Sequence, residues 1–173
     1  MFRLEVSKLN WINDNGADDP CDLCAHGNVI ITIGEKSLTA QQITASAGAI
    51  FLLRSITEDH IALPSDSREA VRILPCCGNG IYEDENDPDR AVIITCPFGF
   101  DFSVIHEDGN VKISCDDCGE VTVTIDDYRR EVYAFADAVM AFYEASAPKK
   151  FENPEYEKGY LAMMREWNKL RNA

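Results

Sequence analysis

Between Ala70 and Ile125 apolar residues recur at every second position, in short runs that each end on a turn-forming sequence. That period belongs to strands with two unlike faces. Val71 to Leu74 is the first run, Cys77-Gly78-Asn79-Gly80 reads as a turn, and Ile81-Tyr82 as a short return. Ala91 to Thr95 is the next strand. Phe98, Phe100, Phe102, Val104 and His106 then give one strand an aromatic and aliphatic face. Asp108-Gly109 is a hairpin signal. Val111, Ile113 and Cys115, followed after Asp116–Gly119 by Val121, Val123 and Ile125, complete a meander.

Strand signals also stand at Phe2 to Val6 and at Val29, Ile31 and Ile33, with a loop by composition from Asn13 to Asp22. The remaining apolar residues follow helical spacing. Ile43 to Asp59 reads as a buried helix capped by Thr44 or Ser46, with Arg54 marking its wetter side. A second helix covers 126–146, with Asp126 as N-cap and a stripe of Tyr128, Val132, Phe135, Ala136, Val139 and Phe142. A third runs from about 154 to 171, with Tyr156, Tyr160, Met163, Trp167 and Leu170 on one side. The expected fold is a single α+β domain over 1–173: a two-layer arrangement in which a mostly antiparallel β meander packs against helices.

The chain has 173 residues, 46% of them hydrophobic and 27% charged, as in an ordinary globular domain. Its net charge of −14 argues against nucleic acid as a partner, because phosphate binding needs a basic face, so none is expected. No apolar stretch approaches a membrane span, and the N-terminus lacks the basic start and apolar run of a secretory signal, so a cytoplasmic location is expected. The charge is uneven. Residues 1–125 carry 8 basic and 21 acidic side chains, whereas residues 126–173 carry 8 and 9. Such a surface keeps a protein soluble, and it also steers a basic partner.

Seven cysteines in a reducing compartment read as thiols, metal ligands or redox centres rather than disulfides. Two Cys-x-x-Cys pairs, Cys21/Cys24 with nearby His26 and Cys115/Cys118, resemble the halves of a zinc site, although 90 residues separate them. Cys96 extends the Val92/Ile94 alternation and Cys115 that of Val111/Ile113, so both also read as core. Alternating the turns of the meander between its two ends places Cys76, Cys77, Cys96, Cys115 and Cys118 at one end. Glu83, Asp84, Glu85, Asp87, Asp89, Glu107 and Asp108 fall at the other, where they form the expected partner-binding surface. His106 is within conceivable reach of Cys96 as a Cys–His pair, and is equally a satisfied histidine at the core edge. No phosphate loop, EF-hand, nucleophile elbow or zincin motif occurs, and no catalytic residue is named.

Leu23-Cys24-Ala25-His26-Gly27, Pro75-Cys76-Cys77-Gly78, Cys96-Pro97-Phe98-Gly99 and Glu166-Trp167-Asn168 give the chain a resemblance to uncharacterised small bacterial proteins. Some of these are similar to immunity proteins of polymorphic toxin systems. The resemblance implies a partner-binding protein and carries over no catalytic residue. A non-enzymatic acidic protein that binds a basic protein is expected, with no cofactor, or with zinc under the alternative reading. The alternative expectation is a zinc-binding or thiol-redox protein that uses the two Cys-x-x-Cys pairs.

Overall fold

The computed structural model describes residues 1–173 apart from 14–17 and 65, together with the side chain of Asn79. The fold is α+β, and every strand pair is antiparallel. The strands β1 (Phe2–Asn10), β2 (His26–Ile33) and β3 (Lys36–Thr44) form a sheet in that order. Phe2 faces Ile33 and Leu4 faces Ile31 across the first pair, and Phe2, Leu4, Val29, Ile31 and Ile33 are all buried. Strand β3 gives little signal in sequence. Its polar residues outnumber its apolar ones, and a bulge at Gln42 (φ 53°) breaks the alternation between Ala40 and Ile43.

Helix α1 (Ala45–Arg54) follows β3 directly and starts later and ends sooner than the expected helix. Thr44 occupies the N-cap, but its side chain makes no capping bond. Eight of the ten helical residues are buried, because α1 is packed by other elements all round. The run of small residues permits this. A Cβ on Gly48 would lie 2.8 Å from Leu74 Cδ2.

The β-rich middle of the chain divides into separate ladders rather than one meander. Strand β4 (Leu74–Pro75) pairs with β7 (Gly99–Phe100), and β5 (Gly78–Glu83) pairs with β6 (Ala91–Thr95). Strands β8 (Ser103–Glu107), β9 (Asn110–Cys115) and β10 (Gly119–Thr124) make a three-stranded sheet. Two expectations are corrected here. Residues 78–80 are strand, with a register shift, where a turn was expected. The Phe98–His106 run is two strands: Phe102 and Val104 are fully buried, but Phe98 is 65% exposed. Gly99 (φ 140°) and Asp101, which accepts from Ile73 N, break the run between them.

Helix α2 (Ile125–Glu144) buries the expected stripe, with Tyr143 in place of Phe142 as its last member. Its N-cap is Thr124, not Asp126, because the Thr124 hydroxyl accepts from Asp127 N at 3.1 Å. Helix α3 (Pro154–Arg171) starts on Asn153 and buries Gly159, Ala162, Met163, Glu166 and Trp167, while Tyr156 is exposed. Gly159 lets the β5–β6 hairpin lie against α3, since a Cβ there would run into the Ile81 carbonyl oxygen.

Arg54 is not on a wet side. Its guanidinium donates to both Glu166 oxygens, at 2.7 and 2.8 Å, and to Ala91 O at 2.6 Å, while Ala91 N donates back to Glu166 at 2.7 Å. This closed ring joins α1, α3 and the start of β6. Breaking one partner of a buried ion pair costs about 3–5 kcal/mol, most of it from the charge left behind. Glu166→Ala is therefore expected to lose about that much stability in a urea melt. Joint replacement by Arg54→Met and Glu166→Leu should recover only part of the loss, because Ala91 N and O are then left without these partners.

Candidate functional site

The convergent reactive side chains are three thiols. Chain segments cross between two short ladders at this point. Cys76 and Cys77 connect Pro75, paired with Gly99, to Gly78, paired with Thr95. On the opposing segment Cys96, Pro97 and Phe98 make the same crossing, so two residues stand against three and the pairing is interrupted. The interruption turns the thiols toward one another. Cys76 Sγ and Cys96 Sγ are 2.8 Å apart, and the Cys76, Cys77 and Cys96 sulfurs all lie within 4.8 Å of one another.

Backbone groups around the crossing hold it in place. Cys76 N donates to Phe98 O at 3.0 Å. Buried Arg72 donates to Pro97 O at 2.9 Å, to Leu63 O and Pro64 O, and to Asp101, which also binds His60. Gly99 is required, because a Cβ there would collide with Leu74 O. The three thiols differ in acidity. Partial burial, the bond to Cys96 and the neighbouring sulfurs push Cys76 up to about 12, and burial likewise raises Cys77. Burial also opposes ionisation of Cys96. Hydrogen bonds from Cys76 and Cys77 outweigh it, so Cys96 lies below the ordinary thiol value.

The residues expected to share a zinc ion are distributed otherwise. Cys115 and Cys118 are joined as a disulfide in the β9–β10 turn, so they offer no thiolates, and the expectation of seven reduced cysteines is corrected to five. Cys21, Cys24 and His26 do come together along a cavity of about 410 Å³, where His26 pairs with Asp22 at 3.4 Å. The two halves remain separate. Lys36 Nζ reaches Asp117 O at 3.0 Å, which places the Cys115–Cys118 turn by the β2–β3 turn. His26 opens β2 at its other end, roughly 20 Å away at the rise of a strand. Within its own half, burial and the Asp22 charge push the Cys24 thiol up to about 12. His106 is not paired with Cys96: its ring nitrogens bond Asp59 at 2.8 Å and Ile56 O at 3.0 Å.

The residues of the expected acidic end lie in and beside the β5–β6 and β8–β9 loops. The β5–β6 loop and the end of β8 both flank the segment leaving α1, through Arg90 with Glu58 and His106 with Asp59. Glu83 and Asp89 are engaged by Arg165 at 2.8 and 3.4 Å. Asp84 and Asp87 accept from backbone N–H groups within their own loop. Asp108 sits in the β8–β9 turn at φ 47°, and Glu107 ends β8. The surface beside the β5–β6 loop was not expected. In β6, Ala91 is buried and Ile93 half-buried, so Val92 and Ile94 point outward at 42% and 49% exposure. Tyr82 lies opposite Val92, and Phe98 is exposed beyond the strand. This reverses the expectation that the Val92/Ile94 alternation faces the core.

Comparison with protein-family models, with curated proteins and with solved structures returns no match. Among the described residues, no helix is long and apolar enough to cross a membrane.

The alternation of turns already places Cys76, Cys77 and Cys96 at one end. Which thiols meet was not legible, because Cys76 and Cys77 follow one ladder and Cys96 another, and the register brings them together. The signal available was the adjacent pair Cys76-Cys77 before one strand and Cys96 directly after its partner strand. The acidities lead to an expected order of reaction. In timed alkylation of reduced protein near about pH 8, Cys96 and exposed Cys21 should be modified first. Cys24, whose thiol is pushed up to about 12, should react more slowly than either, as read by peptide mass spectrometry.

Proposed function

We propose that this chain is a non-enzymatic protein that binds a basic protein partner, in the manner of an immunity protein, through the outer face of the β5–β6 hairpin. One observation carries the reading: Tyr82, Val92 and Ile94 form an exposed apolar strip on a hairpin whose tip holds Asp84, Glu85 and Asp87. An exposed strand face is ordinarily polar, and β10 shows the ordinary case with Glu120, Thr122 and Thr124 outward. A contiguous apolar strip rimmed by charge is the usual composition of a binding surface. The acids set the sign of the partner, since like charge repels and opposite charge speeds encounter. The excess of acid over base in residues 1–125 supports the same sign.

The partner is sought by immobilising the chain and capturing basic proteins from the source cell at low salt. A specific partner should lose at least about tenfold in affinity, about 1.4 kcal/mol, with Val92→Ser and Ile94→Ser combined. The same partner should weaken as salt rises. Binding that ignores both the double substitution and the salt would refute the reading.

A further inference from the structure

We propose that Cys76, Cys77 and Cys96 form a three-thiolate site for a soft metal ion of the Cu(I) or Zn(II) kind. The site differs from the pairing of Cys21, Cys24, His26, Cys115 and Cys118 suggested by sequence spacing, and it stands independently of the partner reading. Geometry comes first. A thiolate binds such an ion at about 2.3 Å, so three sulfurs around one ion sit roughly 4 Å apart. The three sulfurs here lie within 4.8 Å of one another, and the closest pair, Cys76 and Cys96, is at 2.8 Å. An ion entering the group would spread that pair by about an ångström and draw in the third sulfur. The interrupted pairing gives room for the change, because none of the three residues belongs to a strand.

Donor chemistry sets the class of ion. Among the described residues the convergent ligating groups at this point are all sulfur, and thiolates select Cu(I) and Zn(II) over hard cations such as Mg²⁺ and Ca²⁺. Access is open, since all three cysteines are half-buried rather than enclosed. The surrounding frame is already built. Arg72 fixes the Pro97 carbonyl, and Cys76 N holds Phe98 O, so the backbone does not have to be ordered when the ion binds. Each thiol that ligates releases its proton to solvent, and no oxidation state changes.

The experiment uses the full chain, reduced mildly and freed of metal, titrated separately with Zn(II) and with Cu(I) under nitrogen. The expected result is one equivalent bound and a new sulfur-to-metal charge-transfer band in the ultraviolet. Bound metal should protect Cys76, Cys77 and Cys96 from alkylation in the wild-type chain, while Cys21 still reacts. Cys96→Ser should weaken binding at least about tenfold, whereas Cys21→Ser should leave it unchanged. Competition against a chromophoric chelator decides which of the two ions is held more tightly. Protection that falls on Cys21 and Cys24 instead, or alkylation of the three thiols that metal does not slow, would overturn the assignment. The wild-type protection pattern carries the result even where Cys96→Ser does not fold.

Discussion

The ring formed by Arg54, Glu166 and both backbone groups of Ala91 ties together the parts of the molecule that matter here. Helix α1 supplies the cation, α3 the carboxylate and the first residue of β6 a donor and an acceptor. A buried guanidinium and carboxylate are tolerable because their hydrogen-bonding capacity is used within the ring. Its consequence is positional. With Ala91 fixed, β6 cannot slide against β5, so the direction of every later side chain in β6 is fixed as well. Ile93 turns toward the interior, and Val92 and Ile94 turn out.

The same restraint reaches the thiols. Cys96 comes directly after β6, and its turn is held from the other side by Arg72 on the Pro97 carbonyl. Arg72 is itself fully engaged, with three carbonyl oxygens and Asp101 around one guanidinium. Two arginines, half-buried Arg54 and buried Arg72, one at each end of a five-residue strand, therefore set where the apolar strip faces and where the sulfurs meet. Both act through backbone carbonyls, which conveys position without placing a charge at the site.

Legibility followed periodicity. The stripes of α2 and α3 are amphipathic, and the structure buries Tyr128, Val132, Phe135, Met163 and Trp167 as spacing requires. Strand β2 likewise alternates cleanly. Reading failed where the pattern has no phase. In Val92-Ile93-Ile94 both faces are apolar, so alternation cannot say which one is inside, and the contact with α3 decides. In Lys36–Thr44 the polar residues and a bulge hid a strand that β2 imposes by pairing. The thiol site was legible in part: alternating turns place Cys76, Cys77 and Cys96 at one end, but not as the metal-ligating set. Cysteine spacing along the chain suggests a zinc pairing, but sulfurs converge by register across a ladder, and register depends on the whole fold.

The two groupings of sulfur also differ in how much chain they restrain. The Cys115–Cys118 bond spans a separation of three residues inside a tight turn that β9 and β10 already form. In the chain-entropy picture so small a loop contributes about 2 kcal/mol at most, and less where the turn is formed in the unfolded chain. A link between Cys76 and Cys96 spans twenty residues and encloses the whole β5–β6 hairpin. The same picture gives such a loop about 3 kcal/mol. An ion held by Cys76, Cys77 and Cys96 would therefore act on the hairpin rather than on a turn. It would clamp the foot of the element whose outer face carries Tyr82, Val92 and Ile94, while the Arg54–Glu166 ring holds Ala91 at the end of β6 nearest the tip. A hairpin fixed at both ends presents its exposed face in one conformation, which lowers the ordering cost of meeting a partner.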